Sequence, residues 1–199
     1  MGCKKNEVKP LKSFDQQTKD YTVFLVNSIW IYKLSNQNTT DTNKISKSVL
    51  GSVLDNSLNY EPTFREMTLF STYYNKVFYY NSDTESEVEN LNILRMWFDG
   101  ARTSTKCVFF SNKAVGDTYN YWFYPDNIVT YQEFLPTYTL EGITYNEVMV
   151  FESRYTGASV PFDDVRLPVK VWYAKHVGII RKEMSNGDFW NLISYDVKQ

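Results

Sequence analysis

The sequence predicts an all-β fold, a single-domain antiparallel sandwich or partly open barrel of about ten strands with at most one or two short helices. Three observations lead there. Asn186-Gly187 lies between two runs rich in apolar and β-branched residues, and Asn-Gly suits the positive φ angles of a type I′ hairpin turn. Aromatic residues make up 17% of the chain, led by 16 Tyr and 13 Phe, a bias that favours strands over helices. Short alternating or apolar runs recur between turn residues along the whole chain.

A two-residue loop at Asn186-Gly187 sets a register for the last hairpin. It pairs Ser185 with Asp188, Met184 with Phe189, Ile180 with Ile193 and Gly178 with Tyr195. Met184, Ile180, Phe189, Ile193 and Tyr195 are then expected on one face, and Glu183, Arg181, Trp190 and Leu192 on the other. Residues 169–174 form a further strand leading in.

The remaining elements follow in order. Residues 1–20 read as a tether: from Lys4 to Asp20 five lysines stand against Glu7, Asp15 and Asp20, with few large apolar residues. Residues 21–199 form the β domain. Residues 21–34 are apolar on both faces, as in a strand covered on both sides and broken near Asn27-Ser28. Residues 35–43 are a polar loop, and 45–54 a strand in which Gly51 marks a bulge or a close backbone approach. Residues 67–80 read as strand. In residues 84–98 a Thr84/Glu87 capping box and near-helical spacing of Val88, Leu91, Leu94 and Phe98 allow one short helix. Alternation through Leu94, Met96 and Phe98 argues for strand in the second half. Residues 105–110, 119–124, 128–140 and 143–155 are strands, with Pro136 turning part of the third into edge or loop. Residues 157–168 are a polar loop.

Composition limits the function classes. At 199 residues the chain buries a substantial core without covalent staples. Its net charge of −2 makes no bulk electrostatic case for nucleic acid, and no apolar run is long enough for a membrane-spanning helix. Cys3 lies in the polar tail and Cys107 in an apolar strand, which argues against a bridge; Cys107 reads as a small buried hydrophobe. Asp83, Glu85, Glu87 and Glu89 lack the glycine and ligand order of an EF-hand and read as a solvated loop. No metal or cofactor is expected. The single histidine, His176, sits at a bend with no nucleophile or carboxylate motif nearby and reads as a surface bend residue. A pair of carboxylates for glycoside hydrolysis needs only proximity in space, so that class stays open. The other signal is aromatic. Trp122, Tyr124, Trp172 and Trp190 are the rings that would line a groove able to stack a sugar or hold an acyl chain, against the plainer reading that core or loops cover them.

Gly2-Cys3 before a lysine-rich segment resembles the end of a bacterial lipoprotein signal, with Cys3 as the lipidated residue; N-myristoylation at Gly2 fits less well, because Asn6 stands where Ser or Thr is usual. A second resemblance rests on Trp172-Tyr173-Ala174-Lys175-His176-Val177-Gly178-Ile179-Ile180-Arg181 and the closing Leu192-Ile193-Ser194-Tyr195. Ser28-Ile29-Trp30-Ile31-Tyr32 and Gly142-Ile143-Thr144-Tyr145-Asn146-Glu147-Val148 add to it. Together these resemble uncharacterised Bacteroides-type cell-envelope lipoproteins, often called TapB-like, in which glycine stands at the place of His176. The resemblance implies a membrane-anchored envelope β-protein, periplasmic or surface-exposed. The function expected is a non-catalytic binding or structural module, with an apolar-ligand carrier or a glycosidase-type enzyme as alternatives.

Overall fold

The computed structural model describes residues 8–52, 54, 60–84, 92–98, 106–120, 127–155 and 167–199. The fold is all-β, as the sequence predicts, with twelve strands and one helix among the described residues. The first half carries α1 (Gln16–Thr22), β1 (Ile29–Leu34), β2 (Thr40–Ser52), β3 (Thr63–Ser71), β4 (Lys76–Thr84), β5 (Asn92–Phe98) and β6 (Lys106–Phe110). The second half carries β7 (Thr118–Asn120), β8 (Asn127–Leu140), β9 (Ile143–Tyr155), β10 (Pro168–Ala174), β11 (Gly178–Met184) and β12 (Phe189–Asp196).

All neighbours are antiparallel, in the order β6-β5-β4-β3-β2-β1-β12-β11-β10-β9-β8-β7. The sheet is thus two six-stranded meanders joined where the first strand pairs with the last. It curls until β6 lies against β8 and β9, but the edge strands form no ladder with each other, so the barrel stays open. The concave face holds the core. Phe109 packs on Tyr21, Phe151 and Tyr173, bridging the two meanders.

Several elements differ from expectation. Residues 14–20 do not behave as tether. Phe14, Thr18 and Asp20 are buried, and α1 is N-capped by Asp15, whose Oδ1 accepts from Thr18 N at 2.6 Å. The Asp15 Oδ2 accepts from Asn92, Ser111 and Asn112, fastening α1 to the ends of β5 and β6. Seven residues with two threonines carry little helical pattern by themselves; tertiary fastening makes this helix. The stretch 67–80 is a hairpin rather than one strand, with Asn75 turning at φ 50°. The helix allowed within 84–98 is absent from its second half, where β5 pairs with β4 and β6; residues 85–91 lie outside the described residues. β8 runs through Pro136, because among the described residues its second half has no partner on one side and an edge strand tolerates a missing donor. Gly51 lies opposite Phe64, whose ring lies 2.5 Å from where a Cβ would stand: a close approach.

The final hairpin departs by one residue. Its loop is three residues long. Met184 N donates to Asp188 O at 2.9 Å, Gly187 N donates to Met184 O at 2.9 Å, and only Gly187, at φ 83°, is left-handed. This is the type I turn with a bulge glycine, which competes with the type I′ turn for the same Asn-Gly pair. Glu183 therefore faces Phe189, and Lys182 faces Trp190. A one-residue slip exchanges faces. Ile180, Lys182, Met184, Trp190 and Leu192 are buried, while Phe189 and Ile193 are only partly so and Tyr195 is exposed. The type I′ loop occurs instead at Glu141-Gly142, φ 49° and 79°, between β8 and β9.

A Cβ at position 187 would meet nothing within 4 Å, so a substitution there costs backbone strain alone. Gly187→Val is expected to lose about 1–2 kcal/mol, the cost of a left-handed L-residue. Urea unfolding measures it; an unchanged midpoint would place the left-handed residue elsewhere.

Candidate functional site

A concave space lies where the two meanders join. After α1 the chain crosses the open end of the curled sheet before entering β1. Leu25 N donates to Lys198 O at 2.8 Å, His176 N to Asp20 O at 2.8 Å, and Tyr21 Oη to Glu147 O at 2.7 Å. These bonds hold Phe24 over Gly178, whose left-handed φ of 88° and missing Cβ admit the ring; a Cβ there would stand 2.9 Å from it. Phe24 meets Trp30 edge to face at 5.1 Å. Trp30 Nε1 donates to Val177 O at 2.7 Å and Tyr32 Oη to Ile179 O at 2.8 Å, so both rings from β1 are fixed by the β10–β11 turn and the start of β11.

Beneath this cover lies an open-mouthed apolar pocket with a cavity of about 40 Å³. Tyr21, Phe24 and Trp30 form one side; Ile45, Leu69 and Leu94 line the sheet side. Tyr21, Tyr32, Tyr80 and Tyr173 bring hydroxyls to the aromatic wall. The size suits a slender group rather than a flat sugar ring.

A second, smaller recess shares Tyr80 with the first. Asp41, Asn43, Tyr74 and Lys182 line it. Asp41 is 1% exposed and accepts from Asn43 Nδ2 at 2.7 Å, Ser71 Oγ at 2.8 Å and Tyr73 N at 3.1 Å. Lys182 is 7% exposed, and its Nζ lies 3.9 Å from the centre of the Tyr32 ring. Burial lowers the Lys182 ammonium from the ordinary lysine range, with Asp41 opposing. Burial raises the phenols of Tyr32 and Tyr80, and the Asp41 charge adds to it. It also pushes Tyr74, Tyr131 and Tyr145 up to about 12.

Of the rings singled out from the sequence, the two among the described residues, Trp172 and Trp190, are buried. Trp190 is 1% exposed and packs on Tyr73, at 4.7 Å, and Tyr74. Trp172 is 9% exposed, with Lys170 and Arg181 over its ring at 5.2 and 5.1 Å. Trp122 and Tyr124 lie outside the described residues. The slipped hairpin register explains Trp190, since it turns that ring inward. The Cys107 side chain, and Cys3 altogether, also lie outside them.

His176 is an exposed bend residue with φ 60°, a conformation His tolerates better than most side chains. Its Nδ1 is 2.9 Å from Gln199 Oε1. Nearby Lys175 reaches Glu147 at 3.0 Å and Asp20 at 3.8 Å, a partly exposed ion-pair group that fastens α1 to β9 and β10. Among the described residues no group of three or more His, Cys, Asp or Glu is placed to hold a metal.

Sequence reasoning missed Lys182 and Asp41. Their signal was available: on the corrected register Lys182 stands between Ile180 and Met184 on the inner face, a charge where an apolar residue is the rule. The chain matches no family model, no curated protein and no solved structure.

The raised phenols tie stability to alkali. A tyrosine whose folded value exceeds its unfolded value of 10 favours the fold fully below pH 10 and loses that contribution as pH rises toward 12. Lys182, lowered on folding, acts with the opposite sign, one group against several. The urea midpoint is therefore expected to fall between about pH 10 and pH 12. A flat midpoint across that window would mean that the phenols titrate freely.

Proposed function

We propose that this protein is a non-catalytic binding module of a bacterial cell envelope, anchored through a lipid on Cys3, and that it takes a slender apolar group into the pocket beneath Phe24. Within the binding class, the carrier reading gains over sugar stacking. The observation that carries it is the pocket itself: an apolar, open-mouthed space walled by both meanders, roofed by one crossing segment. The aromatic rings that a stacking platform needs are buried or hydrogen-bonded into the core at Trp30, Trp172 and Trp190. Burial of apolar ligand surface against such walls supplies roughly 25 cal/mol per Å² before ordering costs.

The envelope part rests on Gly2-Cys3 and on the resemblance carried by the β10–β12 region and β1. The glycosidase alternative receives less support, because Asp20 and Glu147 meet across Lys175 as an ion-pair group and not across an open cleft.

Titration calorimetry with 1-octanol tests the pocket. Binding is expected in the native protein, and Leu69→Phe, which fills the pocket from the sheet side, is expected to weaken it about tenfold, the effect of a small steric change in an apolar site. Equal binding by both proteins, or none by either, would overturn the reading.

The anchor is tested with a lipoprotein signal placed ahead of Gly2. Labelled fatty acid is expected to enter the protein, and Cys3→Ala to abolish labelling. Persistent labelling would put the lipid elsewhere.

A further inference from the structure

We propose that Lys182 is the polar end of this same pocket, and that the ligand is a short apolar chain ending in a carboxylate. The proposal rests on the binding reading above and names its ligand class.

Lys182 is the anomaly of the inner face. A buried ammonium loses hydration and is retained at a cost unless charge or hydrogen bonds return it. Among the described residues Lys182 Nζ has no hydrogen-bond acceptor and no carboxylate within ion-pair distance; what it faces is the Tyr32 ring at 3.9 Å. A ring face balances part of the charge and leaves N–H donors unused. The side chain is more than nine-tenths buried and lines the small recess.

Asp41 does not fill that need. Its oxygens are taken up by Asn43, Ser71 and Tyr73 N, with Thr72 Oγ1 at 3.5 Å. Those donors spread its charge into the β3–β4 turn. Its field opposes the lowering that burial imposes on the Lys182 ammonium.

The recess and the apolar pocket form a sequence of surfaces. Tyr80 lines both, and Tyr32, a wall of the apolar pocket, lies under the ammonium. A ligand that spans both spaces from beneath Phe24 would meet apolar wall first and Lys182 at its far end. The recess cavity is about 10 Å³, near the space of one water. That fits a carboxylate oxygen displacing a water better than the bulk of a phosphate or sulfate. An ammonium head would be repelled by Lys182, and a hydroxyl would forgo a charge-assisted bond.

Three probes of equal length decide the matter: octanoate, 1-octanol and octylammonium, each titrated into the full chain at pH 7 by calorimetry. Octanoate is expected to bind at least tenfold more tightly than 1-octanol, and octylammonium not at all. Lys182→Met, close in volume, is expected to bind octanoate no better than octanol while retaining octanol. If octanol and octanoate bind alike in the native protein, the pocket stands and the carboxylate assignment falls. If Lys182→Met keeps the octanoate preference, the head lies elsewhere and the assignment falls. If no probe binds, the apolar-pocket reading falls with it. The native-protein comparison needs no substitution, so it decides even if the variant does not fold.

Discussion

The pairing of β1 with β12 is the constraint on which the rest depends. Ile29 lies opposite Asp196 and Leu34 opposite Trp190, joining residues more than 150 apart in the chain. Every other ladder among the described strands links strands consecutive in sequence. Each meander can build itself from hairpins, but neither encloses anything alone. Once β1 sits between β2 and β12, Trp30 and Tyr32 reach the carbonyls of Val177 and Ile179, and the two concave faces become one. The pocket is a consequence of that junction: Ile45, Leu69 and Leu94 come from one meander, Tyr173, Gly178 and Ile179 from the other.

The segment before β1 completes the junction. Asp15 bonds to residues at the ends of β5 and β6, while the chain from Lys19 to Leu25 bonds to His176, Lys198 and Gln199. The segment before β1 and the C-terminal residues thereby meet at the mouth of the curled sheet. Backbone bonds of this kind leave Phe24 as the lid of the pocket, and Gly178 gives its ring room. The left-handed His176 serves the same end, since its N–H turns toward Asp20. The bend at His176 thus contributes to positioning, through backbone geometry rather than through imidazole chemistry.

Inside, the polar groups are arranged unevenly. Asp41 is surrounded by donors and is a settled part of the end of the sheet that carries the β3–β4 turn. Lys182, on the opposing β11, has a ring in place of an acceptor. A fold selected for stability alone would place methionine or leucine there, because a buried charge costs more than an apolar side chain of similar volume. The asymmetry is what separates this end of the interior from ordinary core.

Local chemistry was legible in the sequence. Alternation and β-branched or aromatic runs located the strands from Ile143 to Asp196 closely, and glycine at 51, 142 and 187 marked a close approach and two turns. These features are set by neighbours along the chain. Three things were decided only by tertiary structure. The short helix Gln16–Thr22 exists because Asp15 and Tyr21 find partners in distant strands, not because its own residues favour a helix. The last hairpin chose a three-residue loop, so Lys182 and Trp190 face inward, and Trp190, expected at a groove, is core. An Asn-Gly pair serves both turn types, and the sheet on which the strands must lie selects between them. The pocket has no sequence signature at all, because its walls come from opposite ends of the chain and meet only when the first strand pairs with the last.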